Sequence, residues 1–174
     1  MSEPNHHGKR VESVACAVIT VSDTRTPDTD KSGAFIRERL ASAGHRVFSY
    51  DILPDEPSQV RDRVVALCSD PICQAVLLTG GTGLAPRDTT YEAITAVLEK
   101  QLDGFGELFR MLSYQEIGSP AMLSRATAGI CSSTLIVSMP GSTAAVALAM
   151  DKLILPQIAH LVYLLKKVSG KAPG

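Results

Sequence analysis

The stretch AVLLTGGTGLAPRDTTYE, residues 75–92, decides the fold. Its first part, Ala75–Thr79, is an apolar run of strand length without polar alternation, which is typical of a strand buried on both faces of a parallel sheet. A glycine-rich loop follows directly, and Thr89 and Glu92 have the spacing of a capping box that opens a helix. This order of strand, loop and helix predicts one βα unit of an α/β domain.

The rest of the chain repeats this alternation. Further strands are predicted over four runs rich in apolar and β-branched residues: Val14–Val21, Arg46–Leu53, Thr127–Cys131 and Thr134–Met139. Helices are predicted from Ser32 as N-cap to Gly44, from Pro57 onward, from Thr89 through Leu98, over Gly104–Ile117, and after Ser142. Because a two-serine turn joins the last two strands, one of them can be antiparallel.

The predicted fold class is therefore α/β. It is a three-layer sandwich with a mostly parallel sheet, one antiparallel strand near the C-terminal half, and helices on both faces. Residues 13–168 are predicted to form a single domain, residues 1–12 a disordered arm and residues 169–174 a flexible tail.

Composition excludes several classes of protein. The net charge of -1 over 174 residues gives no sign of a surface for nucleic acid or anionic membranes. No apolar run looks long enough to span a bilayer. The four cysteines form no Cys-x-x-Cys pair and the four histidines no metal-ligand spacing, so we expect a reduced, cytoplasmic protein without disulfides.

Polar loops follow four of the predicted strands. They begin at Ser22-Asp23, at Asp55, at Gly80 and at Pro140-Gly141-Ser142. In parallel sheets, ligands bind at the carboxyl ends of the strands. We therefore expect these four loops to form one site.

The loop Thr79-Gly80-Gly81-Thr82-Gly83 is suited to a phosphate or another oxyanion, because glycines let backbone N–H groups approach a ligand. It lacks the Gly-Lys-Ser/Thr of a P-loop and the glycine spacing of a dinucleotide-binding fingerprint. A kinase or a dehydrogenase is therefore disfavoured. The alternative is a plain tight turn. The buried strand before the loop and Asp88 after it favour the ligand-binding role.

A carboxylate beside bound phosphates is repulsive unless a cation lies between them. Mg²⁺ typically uses one or two carboxylates together with substrate phosphates, so Asp88 and Asp55 are candidate metal ligands. The alternative for both residues is capping of the helix that follows. Arg87 either holds a phosphate or pairs with a surface acid.

The segment Pro140-Gly141-Ser142 is a second candidate phosphate site, since it opens a helix whose free N–H groups attract anions. Ser142 can also be an ordinary N-cap. Ser22 and Asp23 are candidates for contacts with a ribose or a pterin, with ordinary loop residues as the alternative. Ser124-Arg125 is a weaker candidate for the same pocket, with a surface turn as the alternative.

These motifs resemble the MoaB/MogA family of molybdenum-cofactor biosynthesis proteins. The resemblance rests on LLTGGTG followed by Asp88, and on similar segments in the same order: VSD (residues 21–23), DKSG (30–33), PDE (54–56), GFGE (104–107) and MPGS (139–142). FRMLS (109–113) and LSR (123–125) look like the MoaB branch in particular. The resemblance covers about residues 13–165.

The resemblance implies adenylyl transfer, in which molybdopterin and Mg-ATP give adenylyl-molybdopterin and pyrophosphate. It implies catalytic and Mg²⁺-linked roles for Asp55 and Asp88, a homotrimer or homohexamer, and a partner protein that inserts the metal. One departure is that SerThrAlaAla, residues 142–145, lacks the lysine that many relatives carry there. A non-catalytic molybdopterin-binding or scaffold paralogue is the alternative.

Overall fold

A computed structural model describes residues 13–168. The expected arm and tail, residues 1–12 and 169–174, lie outside this part of the chain. The strands are β1 Ala15–Val21, β2 Arg46–Leu53, β3 Ala75–Thr79, β4 Lys100–Gln101, β5 Thr127–Cys131 and β6 Thr134–Met139. The helices are α1 Lys31–Ser42, α2 Pro57–Ser69, α3 Thr90–Thr95, α4 Asp103–Ile117, α5 Thr143–Ala149 and α6 Leu155–Val168, with a 3-10 turn at Ser119–Leu123 and a π-helical turn at Met150–Ile154.

The sheet has the order β2-β1-β3-β6-β5-β4. Strands β2, β1, β3 and β6 are mutually parallel, while β5 runs antiparallel to both β6 and β4. The predicted α/β class with one antiparallel strand is thus confirmed. Strand β4 was not predicted, because its two exposed residues have no apolar pattern.

Two hydrophobic clusters cover the two faces of the sheet, which confirms the three layers. Alternate residues of β1 divide between them: Cys16 and Val18 pack with α1, α4 and the C-terminal helices, and Ala17 and Ile19 pack with α2 and α3. The four cysteines are free and buried, and burial raises the pKa of Cys16 and of Cys73 to about 12. They therefore behave as small apolar core residues.

The C-terminal helical run, Thr143–Lys167, corrects one expectation. By length and composition alone it could cross a membrane. Its inner face nevertheless belongs to the core of the domain, because Val146, Met150, Ile158 and Val162 are at most 2% exposed. It is accordingly the core helix of an α/β domain.

One predicted helix start is wrong, and a second helix differs from the prediction in its cap bond and its end. Helix α1 is capped by Asp30, whose side chain accepts from the Gly33 amide, and not by Ser32. Helix α3 has Thr89 at its N-cap position, but Thr89 makes no side-chain cap bond. That helix also ends at Thr95, short of the predicted Leu98.

Candidate functional site

The structure brings the four polar loops together at the carboxyl ends of β1, β2, β3 and β6. The Ser22 amide donates to the Leu53 carbonyl at 2.8 Å, and the Asp55 amide donates to Asp23 Oδ1 at 2.9 Å. On the other side, Thr79 Oγ1 donates to the Pro140 carbonyl at 3.1 Å. The loops after β1 and β2 are thus one unit, and those after β3 and β6 are another.

Backbone conformation and close packing explain why glycines occupy positions 80 and 81 of the loop. Gly80 and Gly81 adopt φ values of +99° and +64°, in the left-handed region that glycine favours. A Cβ on Gly80 would lie 2.3 Å from the Val21 carbonyl oxygen, so the loop presses directly against the end of β1. The Gly80 amide donates to the Met139 carbonyl at 3.2 Å. Within residues 13–168, the amides of 81–83 donate to no protein acceptor, which leaves them for a ligand.

The two carboxylates Asp55 and Asp88 lie beside this loop, and both are half-buried. Asp55 Oδ1 accepts from the amide and from the hydroxyl of Thr89, each at 3.3 Å, while Asp88 Oδ2 accepts from the Ala85 amide at 3.2 Å. Burial raises the pKa of the Asp55 carboxyl, and the Asp88 carboxylate raises it further, against the opposing effect of the Thr89 hydrogen bonds. The carboxylates therefore repel each other.

Neither acid caps a helix, so that alternative is wrong. The cap position of α2 is Glu56, and it makes no side-chain cap bond. The predicted capping box is also wrong, because Thr89 bonds to Asp55 and Glu92 pairs with Arg125. Asp55 and Asp88 thus have no cap role that would account for them.

Arg87 pairs with Asp23 across the two groups of loops. The Arg87 side chain is 68% exposed and that of Asp23 is 36% exposed. An ion pair this exposed is weak, so a phosphorylated ligand can displace the acid from the guanidinium.

Arg125, expected to contact a ligand, instead holds the glycine loop in place. Its Nε donates to the Thr82 carbonyl at 3.0 Å, and its Nη2 donates to the carbonyls of Gly83 and of Asp88, the latter at 2.9 Å. The guanidinium also pairs with Glu92 and lies 5.0 Å from the centre of the Tyr91 ring. Four of its five N–H donors are engaged by acceptors of the protein, so the structure makes Arg125 a support of the loop.

A cavity of about 370 Å³ lies between the glycine loop and the 140–142 segment. Its far wall is mostly apolar and includes Phe109, Ile117 and Leu123, and Ser124 also lines it. Ser142 caps α5 through its hydroxyl, which accepts from the Ala145 amide at 3.2 Å. The cavity offers polar backbone on one side and apolar surface on the other, as ligand pockets commonly do.

A buried cluster around Asp30, which sequence analysis missed, supports the 140–142 segment. The Asp30 side chain is fully buried; it accepts from Tyr50 at 2.6 Å, from the Gly33 amide at 2.9 Å, from Arg25 at 3.1 Å and also from Thr20. Arg25 in turn donates to the Gly141 carbonyl at 3.1 Å. The signal in the sequence was the DKSG segment, residues 30–33, which the resemblance included without assigning Asp30 a role.

The same cluster keeps Asp30 charged in the interior. Burial acts to raise its pKa, but the hydrogen bonds from Thr20, Tyr50, the Gly33 amide and Arg25 together outweigh burial and lower the pKa below its ordinary value. The Ser32 hydroxyl adds a second hydrogen bond to the Gly141 carbonyl, at 2.8 Å.

Among residues 13–168, no group of three or more Asp, Glu, His or Cys side chains is placed to hold a metal ion alone. The Asp55 and Asp88 pair, next to free loop amides, instead fits Mg²⁺, which takes one or two carboxylates and completes its shell with phosphate oxygens and water. The site thus defines a class of protein: an α/β domain with a ligand site at the carboxyl edge of its sheet.

Comparison with known proteins identifies the class more closely. Residues 17–160 match the family model described as "Probable molybdopterin binding domain". The chain is 52% identical over 168 residues to the molybdenum cofactor biosynthesis protein B of Bacillus subtilis (strain 168), covering 96% of this chain and 99% of that one. The chain belongs to the MoaB/MogA family of molybdenum cofactor biosynthesis proteins.

Solved structures agree with this assignment. A crystal structure of a molybdenum cofactor biosynthesis protein B superposes with a TM-score of 0.87 at 49% identity, covering 89% of this chain and 97% of that one. The tungsten cofactor synthesizing protein MoaB from Pyrococcus furiosus superposes with a TM-score of 0.80 at 34% identity, covering 90% and 99%.

Proposed function

We propose that this protein is a molybdopterin adenylyltransferase. The terminal phosphate of molybdopterin attacks the α-phosphorus of ATP, a new P–O bond forms, the bond between the α- and β-phosphates breaks, and pyrophosphate leaves. The observation that carries the proposal is the adjacent carboxylate pair, Asp55 and Asp88, beside three free amides of the glycine loop.

Charge explains why this pair matters. Three carboxylates meet here, those of Asp23, Asp55 and Asp88, and Arg87 is paired with the first. Two like unit charges about 4 Å apart repel by roughly 4 kcal/mol at an effective dielectric near 20. These carboxylates would therefore weaken the binding of a triphosphate that carries no cation. Asp55 and Asp88 would hold Mg²⁺ beside the phosphates, and its positive charge would offset this repulsion.

The protein's own part is to bind and orient the two substrates. The amides of 81–83 bind the nucleotide phosphates, and Arg87 moves from Asp23 to a phosphate. The Gly141–Ser142 backbone, held by Arg25 and Ser32, binds the phosphate of molybdopterin. The apolar wall of the cavity excludes water from the reacting phosphates.

The test is pyrophosphate release from Mg-ATP, with and without molybdopterin. We expect release that depends on molybdopterin and falls by roughly 100-fold or more in Asp88→Asn, because losing one charge-stabilising group typically has an effect of this size. The matched control is Asp62→Asn, an acid on α2 whose side chain is 72% exposed and, among residues 13–168, pairs only with Arg61. This variant should release pyrophosphate like the wild type. Unchanged release in Asp88→Asn at limiting Mg²⁺ would show that the assignment is wrong.

A second candidate is a protein that binds molybdopterin without turnover. It is favoured by residues 142–145, which carry no lysine, and by Arg25, the cation beside Gly141, whose charge is already paired with Asp30. Tight binding of molybdopterin with no release of pyrophosphate would establish this function instead.

We also propose that the chain assembles into a homotrimer or homohexamer. Large apolar side chains project from α4 and from the 3-10 turn after it: Leu108, Met111, Tyr114, Ile117, Met122 and Leu123 are each 47–77% exposed. A surface of this kind is typical of a protein–protein contact.

A further inference from the structure

Arg110, on α4, is a half-buried arginine whose charge has no counter-ion among residues 13–168. Its guanidinium makes one hydrogen bond in this part of the chain, from Nη1 to the Ala126 carbonyl at 3.5 Å. A partly buried charge without a counter-ion is unfavourable, so Arg110 is a candidate for binding an anion from outside the chain. The other half-buried arginines of the described chain are compensated by acids or by an aromatic ring: Arg25, Arg39, Arg63 and Arg125 by acids, and Arg37 by the Tyr50 ring.

The packing of α4 holds this guanidinium in place. A Cβ on Gly106 would lie 3.0 Å from Nη1 and from Nη2 of Arg110, and 2.8 Å from the Ala126 carbonyl oxygen. The guanidinium therefore lies directly against the backbone of its own helix, where a glycine leaves room for it. Glu107 lies three residues before Arg110, a spacing at which helix neighbours can pair, but the two form no ion pair.

Arg110 lines a cavity of about 500 Å³, which is within the usual range for a small-molecule site. This cavity shares Ser124 with the cavity beside the glycine loop and is otherwise lined by different residues. Tyr91 and Leu102 give it apolar surface. The exposed carboxylates of Asp103 and Glu107 also line it, and within the described part of the chain neither pairs with a basic group.

The charges of the lining residues select the kind of ligand. A guanidinium presents a planar fork of donors that fits a carboxylate. Asp103 and Glu107 repel a ligand that carries only negative charge, and they attract an ammonium group. A ligand with both groups satisfies Arg110 and the two acids together.

We propose that this cavity is a second ligand site, for a small zwitterion such as a free amino acid with an apolar side chain. The carboxylate of the ligand binds Arg110, its ammonium group lies near Asp103 and Glu107, and its side chain packs against Tyr91 and Leu102. The site is independent of adenylyl transfer, because these residues lie outside the group formed by Asp55, Asp88 and the glycine loop.

The test measures the binding of norleucine and two analogues by ligand-detected NMR titration. Hexanoate lacks the ammonium group and pentylamine lacks the carboxylate, so the pair separates the two charges. Arg110→Met removes the guanidinium and keeps much of the side-chain length. Arg61→Met is the matched control, since Arg61 is an arginine on α2 whose side chain is 54% exposed and which does not line the cavity. Glu107→Gln changes an exposed acid and leaves Arg110 in place, so it serves also if Arg110→Met does not fold.

We expect norleucine to bind Arg110→Met at least about 10-fold more weakly than wild type, because a hydrogen bond to a charged group is lost, and to bind Arg61→Met normally. Wild type should bind hexanoate and pentylamine at least about 10-fold more weakly than norleucine, and Glu107→Gln should weaken norleucine binding by about 3-fold. A wild type that does not bind norleucine, or equal binding to wild type and Arg110→Met, would overturn the inference. Hexanoate binding as tight as that of norleucine would also overturn it, as would tighter norleucine binding in Glu107→Gln, since Glu107 would then compete for Arg110.

Discussion

Replacing Arg125 by Met should loosen the glycine loop without touching any ligand-binding group. Methionine keeps much of the length of the side chain and removes the guanidinium that serves the carbonyls of Thr82, Gly83 and Asp88. Hydrogen bonds to a charged group contribute about 1.5–3 kcal/mol each, but water can replace some of them at this half-exposed loop. The ion pair adds little, because Glu92 is 58% exposed.

We therefore expect Arg125→Met to lower the free energy of unfolding by about 3 kcal/mol. For a chain of this size, that loss lowers the melting temperature by roughly 6–12 °C. Amide hydrogen exchange between residues 79 and 89 should quicken at the hydrogen-bonded amides, which are those of Gly80, Ala85, Asp88 and Thr89. Exchange in β1 and β3 should stay slow at the strand ends far from the loop. Calorimetry and exchange mass spectrometry measure the two effects.

Two control variants separate the carbonyl bonds from the ion pair. Glu92→Gln removes only the pair and should lower stability by about 1 kcal/mol or less. Arg61→Met removes an exposed arginine whose one ion pair within the described part of the chain is with Asp62, and it should have no measurable effect. If Glu92→Gln were as damaging as Arg125→Met, or if exchange at 79–89 were unchanged, the carbonyl bonds would not be what holds the loop.

Two further predictions concern the buried acid and the exposed apolar surface. Because the folded-state pKa of Asp30 lies below 3.8, its stabilising effect is present above about pH 4 and is lost as the pH falls through the folded-state pKa. Asp30→Asn should therefore cost about 3 kcal/mol at pH 7 and progressively less as the pH falls below 4, measured by urea unfolding over a pH series; a cost that does not change with pH would exclude the charge as the cause. Met122→Glu should reduce the assembled mass in light scattering, because Met122 is 77% exposed on the proposed contact surface; a monomeric wild type at micromolar concentration would refute the assembly.

Much of the fold could be predicted because its decisive strands have strong local patterns. β1, β3 and β6 are continuous buried runs, and parallel strands must deliver their following loops to one edge. The prediction that Asp55 lies near the glycine loop needed only the parallel order of the strands. Strand β4 has two exposed residues and forms only because β5 offers an edge to pair with, so no local pattern announces it.

Local motifs failed where distant residues compete for the same groups. Thr89 and Glu92 have capping-box spacing, yet Asp55 lies 34 residues before Thr89 and takes its hydroxyl, and Arg125 lies 33 residues after Glu92 and takes its carboxylate. In the same way, Asp30 and not Ser32 caps α1, since its carboxylate accepts from the Gly33 amide. The Ser32 hydroxyl instead donates to the Gly141 carbonyl. A single sequence shows the spacing but not the competitor.

The same competition decides which charges remain for a ligand. Arg25 and Arg125 are basic residues beside the site, but each is engaged by carbonyls and by an acid of the protein itself. Arg87 is the arginine of these loops that stays mostly exposed, and its partner Asp23 is exposed as well. Because these arginines are paired within the protein, little positive charge remains to neutralise the carboxylates of Asp55 and Asp88. If the protein accepts two phosphorylated substrates here, as proposed, a divalent cation would compensate these charges, so cation binding is the property that most directly tests the proposed chemistry.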